Sequence, residues 1–201
     1  MRFLTTMGLV LALSVPMASH AENKPVNISR DVMSIPVETD NGVVEISRVQ
    51  DNENRVESDW ARTSRPCPNF CVQPMVPADG VTPIGEQEVI KMLQDPQAVV
   101  VDSRVAKWFE DGTIPGATHI PYNEAVDRLD ELGCEIDFDG WICEQAKPVA
   151  LFCNGPWCGQ SPTAIRAMVK AGFPADKIYY YRGGMQVWRI LGLTVIKPNG
   201  D

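Results

Sequence analysis

The sequence predicts an α/β domain built on a parallel sheet flanked by helices, preceded by a small extension of irregular and β structure. Two observations lead to this class. From residue 85 onward, short apolar runs alternate with stretches of helical periodicity, the order expected of strands and helices in a parallel sheet. Before that, residues 22–80 are polar and rich in Asn, Asp, Arg and Pro, too poor in apolar residues for a core of their own. The chain therefore divides into a leader (1–21), an extension (22–80) and a main domain (81–201).

The leader reads as a secretory signal peptide. Arg2 supplies the positive start, and Phe3 to Val15 form an apolar stretch too short to span a bilayer. Pro16 breaks it, and Ser19-His20-Ala21 offers small residues for cleavage. The expectation is export to the periplasm or beyond, with no membrane insertion after cleavage. The extension holds one alternating run, Val44 to Val49, which fits a half-buried strand. A turn is expected at Asp51-Asn52-Glu53-Asn54, and a tight proline-containing loop at Cys67-Pro68-Asn69-Phe70-Cys71.

In the main domain, Val89, Ile90 and Leu93 mark one face of a helix over Glu86–Leu93. Ala98 to Val101 is a fully apolar run, as a strand buried on both faces requires. Gly112 to Ala117 is loop, and Asn123–Leu132 reads as an amphipathic helix capped by Asn123. Val149–Phe152 is a second buried strand, followed by a helix over 162–172. Lys177 to Tyr181 is a further strand, and Gly183-Gly184 opens a last helix bearing Met185, Val187, Trp188 and Leu191. Ligands of parallel α/β sheets bind beyond the carboxyl ends of strands.

Cys153 stands at such an end. It follows Val149-Ala150-Leu151-Phe152 and precedes the loop Asn154-Gly155-Pro156-Trp157-Cys158-Gly159-Gln160, after which Ser161-Pro162 opens a helix. Backbone N–H groups in a loop that leads into a helix attract negative charge. The setting is expected to favour the thiolate of Cys153, the reactive form of the group. The alternative is a buried structural cysteine or half of an inert disulfide.

The net charge is −8 for the full chain and one unit more negative once Arg2 leaves with the leader. An acidic surface argues against nucleic acid and anionic lipid as partners, and leaves capture of an anionic substrate to local dipoles. All six cysteines lie after the leader, and an oxidising compartment favours disulfides. Their local clustering makes Cys67–Cys71, Cys134–Cys143 and Cys153–Cys158 the simplest pairing, although spacing alone does not choose. The spacings lack the two-residue knuckles of zinc ribbons, and His119 is the one histidine outside the leader, so no metal is expected. No cofactor is expected either.

Three segments in order resemble the rhodanese family, over roughly residues 83–197. Val101-Asp102-Ser103-Arg104 with Gly112-Thr113-Ile114-Pro115-Gly116-Ala117-Thr118-His119-Ile120-Pro121 resembles its first signature. Leu151-Phe152-Cys153-Asn154-Gly155 resembles the strand entering its catalytic loop. Tyr181-Arg182-Gly183-Gly184-Met185, with Trp188 and Gly192, resembles its closing signature. The resemblance implies a rhodanese-like parallel sheet and a sulfurtransferase in which Cys153 takes up sulfur from a small sulfur anion and passes it to a thiol or cyanide. It implies a substrate loop of Asn154, Gly155, Pro156, Trp157, Gly159 and Gln160, with Asp102, Arg104 and Arg182 in support. Two departures stand out. Trp108-Phe109 and Thr113 replace the residues that often precede the family's Gly-His-Ile-Pro. The loop contains a second cysteine, Cys158, and no Arg or Lys, which argues against the phosphatase members, whose loop arginine clamps an oxyanion.

Cys158 opens another reading. It is a candidate resolving or regulatory thiol, and with Cys153 it can cycle between dithiol and disulfide. The chain is then a thiol–disulfide protein acting on a periplasmic redox partner. A non-catalytic binding module of the same fold is the third reading.

Overall fold

The computed structural model describes residues 24–198. The expected leader at 1–21 lies outside them. Two strands open the described chain, β1 (Ser34–Thr39) and β2 (Gly42–Ser47). They pair antiparallel across a two-residue turn, with Ile35 opposite Ile46 and Val37 opposite Val44. The alternating run seen in the sequence is β2, and its partner β1 had no such signal because Pro36 interrupts it.

The main sheet follows. Its elements run β3 (Thr82–Pro83), α1 (Glu86–Leu93), β4 (Val99–Asp102), α2 (Ala106–Glu110) and β5 (Thr118–His119). A small hairpin comes next, β6 (Glu135–Asp137) and β7 (Gly140–Ile142). The chain ends with β8 (Val149–Phe152), α3 (Gln160–Lys170), β9 (Ile178–Tyr181) and α4 (Gly184–Ile190). The strand order is β3-β9-β8-β4-β5, and every pair is parallel. The sheet and its flanking helices are the α/β architecture predicted above.

β8 lies at the centre, between β4 and β9, and all four of its residues are buried. Val149 and Leu151 face one layer, with Ala164, Ile165 and Met168 of α3. Ala150 and Phe152 face the other, with Val89 and Ile90 of α1 and Met185 and Trp188 of α4. Burial on both faces is why β4 and β8 read as unbroken apolar runs rather than alternating ones.

The extension belongs to the second layer. Val37 and Ile46 are buried in it, and Ile28, Ile35 and Trp60 pack against it. Backbone bonds stitch β2 to the end of the chain: Thr194 N–H donates to Ser47 O at 3.0 Å and Val49 N–H to Gly192 O at 2.8 Å. Arg48 Nε donates to Leu191 O at 2.7 Å.

The expected helix over Asn123–Leu132 does not form. The segment is a run of turns ending in a short 3-10 helix at Leu129–Leu132. Asp127 lies three or four residues from Glu124, Asp130 and Glu131, and like charges at that spacing oppose an α-helix. Arg128 instead grips Glu131 with two nitrogens, at 2.6 and 2.9 Å, and reaches back to His119 O at 3.1 Å. The turns still bury Ala125, Leu129 and Leu132 against the sheet. Apolar spacing alone therefore misread a segment whose charges and long-range bonds favour turns.

Candidate active site

The site starts from the carboxyl end of β8. Cys153 is 2% exposed and Cys158 is 4% exposed. Disulfides join Cys67 to Cys71 and Cys134 to Cys143, and Cys153 and Cys158 are free thiols. The third local pairing suggested by the spacing is thus not made. The thiols are held by other groups: Cys153 Sγ donates to Cys158 O at 3.2 Å and accepts from Ser161 Oγ at 3.1 Å. Cys158 Sγ accepts from Asn154 Nδ2 at 3.9 Å and donates to Gln160 Oε1 at 3.7 Å.

The electrostatics reverse one expectation. Burial pushes the Cys153 thiol well up, and its hydrogen bond to Cys158 pushes it further. Cys158 is lowered to about 7, chiefly by the hydrogen bond from Cys153 and then by backbone N–H groups of Gln160 and Asn154. Of the two thiols, Cys158 is the more readily deprotonated. The strand-end setting does supply a donor at Cys153 from Ser161, but desolvation there outweighs it.

A buried ion pair braces the loop. Arg104 and Asp102 are fully buried. Arg104 Nε donates to Asp102 Oδ1 at 2.8 Å, and Nη2 donates to Asp102 Oδ2 at 2.5 Å and to Gly112 O at 2.7 Å. Thr113 Oγ1 donates to Asp102 Oδ2 at 2.7 Å. Arg104 Nη1 then reaches Asn154 Oδ1 at 3.4 Å, which turns the Asn154 amide nitrogen toward Cys158. The first signature segment thus orients a loop residue through the guanidinium and makes no contact with either sulfur.

The closing segment supports the loop from below. At the start of α4, Met185 N–H donates to Cys153 O at 3.0 Å and Gln186 N–H to Asn154 O at 2.9 Å. Gly184 has φ +54°, and a Cβ there would overlap the Cys153 carbonyl. This close approach explains the glycine. Trp157 donates from Nε1 to Gln186 Oε1 at 2.5 Å.

The extension covers the same loop, which no local pattern announced. Gln73 N–H donates to Pro156 O at 2.8 Å. Arg182 Nε donates to Gln73 O at 3.0 Å, so Arg182 fastens the extension. The Arg65 guanidinium lies 4.0 Å from the centre of the Trp157 ring, and Phe70 meets that ring edge-on at 5.4 Å. The Arg65 side chain is 4% exposed and its terminal nitrogens reach Asp59. Thr63, Arg65, Phe70, Val72, Pro156 and Trp157 line a groove of about 630 Å³ beside the loop. Ser161, Gln73, Arg65 and Phe70 were absent from the sequence-derived site. The first could have been found from its place at the start of α3; the others lie about 80 or more positions from the loop they touch and gave no signal.

Comparison with known proteins places this geometry. A family model for the rhodanese-like domain matches residues 86–191. An HTH-type transcriptional regulator of Mycobacterium tuberculosis is 30% identical over 119 residues, which is 59% of this chain and 45% of the regulator. The chain thus spans under half the length of that relative. Among solved structures, the fold is similar to BH2092 of Bacillus halodurans (22% identity, 59% of this chain, 79% of the other, TM-score 0.45). It is also similar to a thiosulfate sulfurtransferase of Pseudomonas aeruginosa (22% identity, 60% of this chain, 21% of the other, TM-score 0.44). The family match spans α1 through α4 and takes in both the Arg104 brace and the Cys153 loop, so the chain belongs to the rhodanese-like domain family.

Proposed function

We propose that this protein is an exported sulfurtransferase that moves sulfane sulfur from a donor such as thiosulfate, through a persulfide on Cys153, to a thiol or cyanide. The observation that carries the reading is the setting of Cys153: a rhodanese-family cysteine at the carboxyl end of the central strand, its sulfur held by the Ser161 hydroxyl at 3.1 Å and the Cys158 carbonyl at 3.2 Å. Cys153 reacts as its thiolate, after its proton is lost to solvent. The Cys153 thiolate then attacks the outer sulfur of the donor, the S–S bond of thiosulfate breaks, and sulfite leaves with the electron pair. The persulfide charge rests among the loop N–H groups and the Ser161 hydroxyl, a preorganised anion site. An acceptor thiolate or cyanide takes the outer sulfur and returns the Cys153 thiolate, so the kinetics are ping-pong.

A second reading, thiol–disulfide exchange through Cys153 and Cys158, is favoured by the hydrogen bond between the two cysteines. One experiment separates them: intact-mass analysis after thiosulfate, with and without reductant. Sulfur transfer predicts a gain of one sulfur atom that Cys153→Ser abolishes and Cys158→Ser retains. Cys158→Ser protein trapped in mixed disulfides with partner proteins, and bearing no added sulfur, overturns transfer in favour of exchange.

A further inference from the structure

Cys153 and Cys158 are 2% and 4% exposed. That burial restricts the approach of a bulky external dithiol to the pair. An oxidising compartment will nonetheless tend to close them into a disulfide, and their chemistry needs them reduced. A second cysteine couple lies in the extension, whose Gln73 and Phe70 pack on the loop that carries Cys158. Cys67 is exposed, and Cys71 is half-buried and joined to it.

The connection between the couples is short. Gln73 is two residues past Cys71, hence within about 7 Å of it along the chain. Its main-chain N–H holds Pro156 O at 2.8 Å. Its side-chain Nε2 donates to Cys71 O at 2.9 Å and lies 3.6 Å from where a Cβ on Gly159 would sit. One side-chain amide therefore bonds Cys71 and lies beside the residue next to Cys158. Phe70, beside Cys71, packs on Trp157, beside Cys158.

We propose that the Cys67–Cys71 clasp is the redox port of the buried pair: it accepts electrons from an external dithiol and hands them to Cys153 and Cys158 by internal thiol–disulfide exchange. The steps balance. The external dithiol reduces the exposed clasp, passing two electrons and two protons to Cys67 and Cys71 and becoming a disulfide. The Cys71 thiolate attacks Cys158 Sγ in an oxidised Cys153–Cys158 bond, and Cys153 leaves as a thiolate and takes up a proton. The Cys67 thiolate attacks Cys71 Sγ in the mixed disulfide, and Cys158 leaves. With a thiol pKa of about 7, Cys158 is a good leaving group in this step. The clasp bond is restored and the inner pair is a dithiol. The exchange acts on the disulfide form of the pair, which carries no added sulfur, so it does not depend on the transfer reading.

The test is kinetic. Full-length protein is oxidised with diamide until Cys153 and Cys158 are joined, and dithiothreitol is added. Reduction of the inner pair is followed by acid quench, alkylation and peptide mapping. A port predicts reduction at least about ten-fold slower in Cys67→Ser/Cys71→Ser than in wild type. Equal or faster reduction in the variant overturns the proposal, because the clasp is then only a cover. Wild-type protein whose clasp thiols have been reduced and capped with iodoacetamide before the diamide step gives the same reading without a sequence change. In Cys67→Ser/Cys153→Ser, diamide should join Cys71 to Cys158. A Cys71–Cys158 link no more abundant than the Cys67–Cys158 link of Cys71→Ser/Cys153→Ser overturns the route through Cys71.

Discussion

Cys158 makes the protein's stability depend on pH in a defined window. Its thiol is lowered from 9.0 to about 7. Between those values the folded protein has released a proton that the unfolded chain still holds, so stability rises with pH. The gain is complete above 9 and is lost as pH falls through about 7. Cys153 acts in the opposite sense: burial keeps its proton where the unfolded chain releases it, so stability declines again above 9. Melting temperatures of the reduced protein should rise from pH 7 to pH 9 and then fall. Cys158→Ser should flatten the rise; an unchanged rise would place its source elsewhere. Arg104 offers a second check at the same scale. It is fully buried against Asp102, and removing one partner leaves an uncompensated buried charge. Arg104→Ala should cost about 3–5 kcal/mol in urea unfolding, far more than an exposed pair such as Arg62 with Asp59.

At the scale of elements, α4 and the β6–β7 hairpin make contrasting predictions. The start of α4 touches the Cys153 carbonyl, and Gly184 occupies left-handed backbone with no room for a Cβ. Gly184→Ala should destabilise by about 1–3 kcal/mol and displace the loop, so sulfur uptake by Cys153, read by mass, should fall with it. The hairpin lies elsewhere. Its Cys134–Cys143 disulfide closes a separation of nine residues, and loop-closure entropy for such a ring is worth about 2–3 kcal/mol. Cys134→Ala/Cys143→Ala should lower the melting temperature and leave sulfur uptake intact. Loss of uptake in a folded variant would tie the hairpin to the site.

Taken whole, the extension and the sheet share one core layer, and they should unfold together. Ile46 of β2 has no exposed surface and lies in the same layer as Phe152 and Trp188. Ile46→Ala should cost about 2–5 kcal/mol, as a core position does, rather than the few tenths expected of a loose appendage. Unfolding followed by far-ultraviolet circular dichroism should coincide with tryptophan fluorescence, to which Trp60 of the extension contributes along with Trp108, Trp141, Trp157 and Trp188 of the main domain. Two separated transitions would show that the extension unfolds by itself.

The parts of this protein decided by the sequence alone are those set by neighbours along the chain. Runs such as Val149–Phe152 must be buried on both faces, so they specify central parallel strands. The order of apolar run, cysteine, loop and helical period puts Cys153 at a strand's carboxyl end. The Gly183-Gly184 pair marks the opening of the last helix. Tertiary structure decided what depends on distance through space. Desolvation raised Cys153 while its hydrogen bond lowered Cys158, and no local pattern encodes how much water a sulfur loses. Arg65, Phe70 and Gln73 came to rest on the Trp157 loop from the far side of a long stretch of chain. The extension, too polar for a core of its own, gives Val37 and Ile46 to the core of its neighbour. Helical spacing at Asn123–Leu132 gave way to turns because Arg128 found His119 and the repelling acids found no relief in a helix.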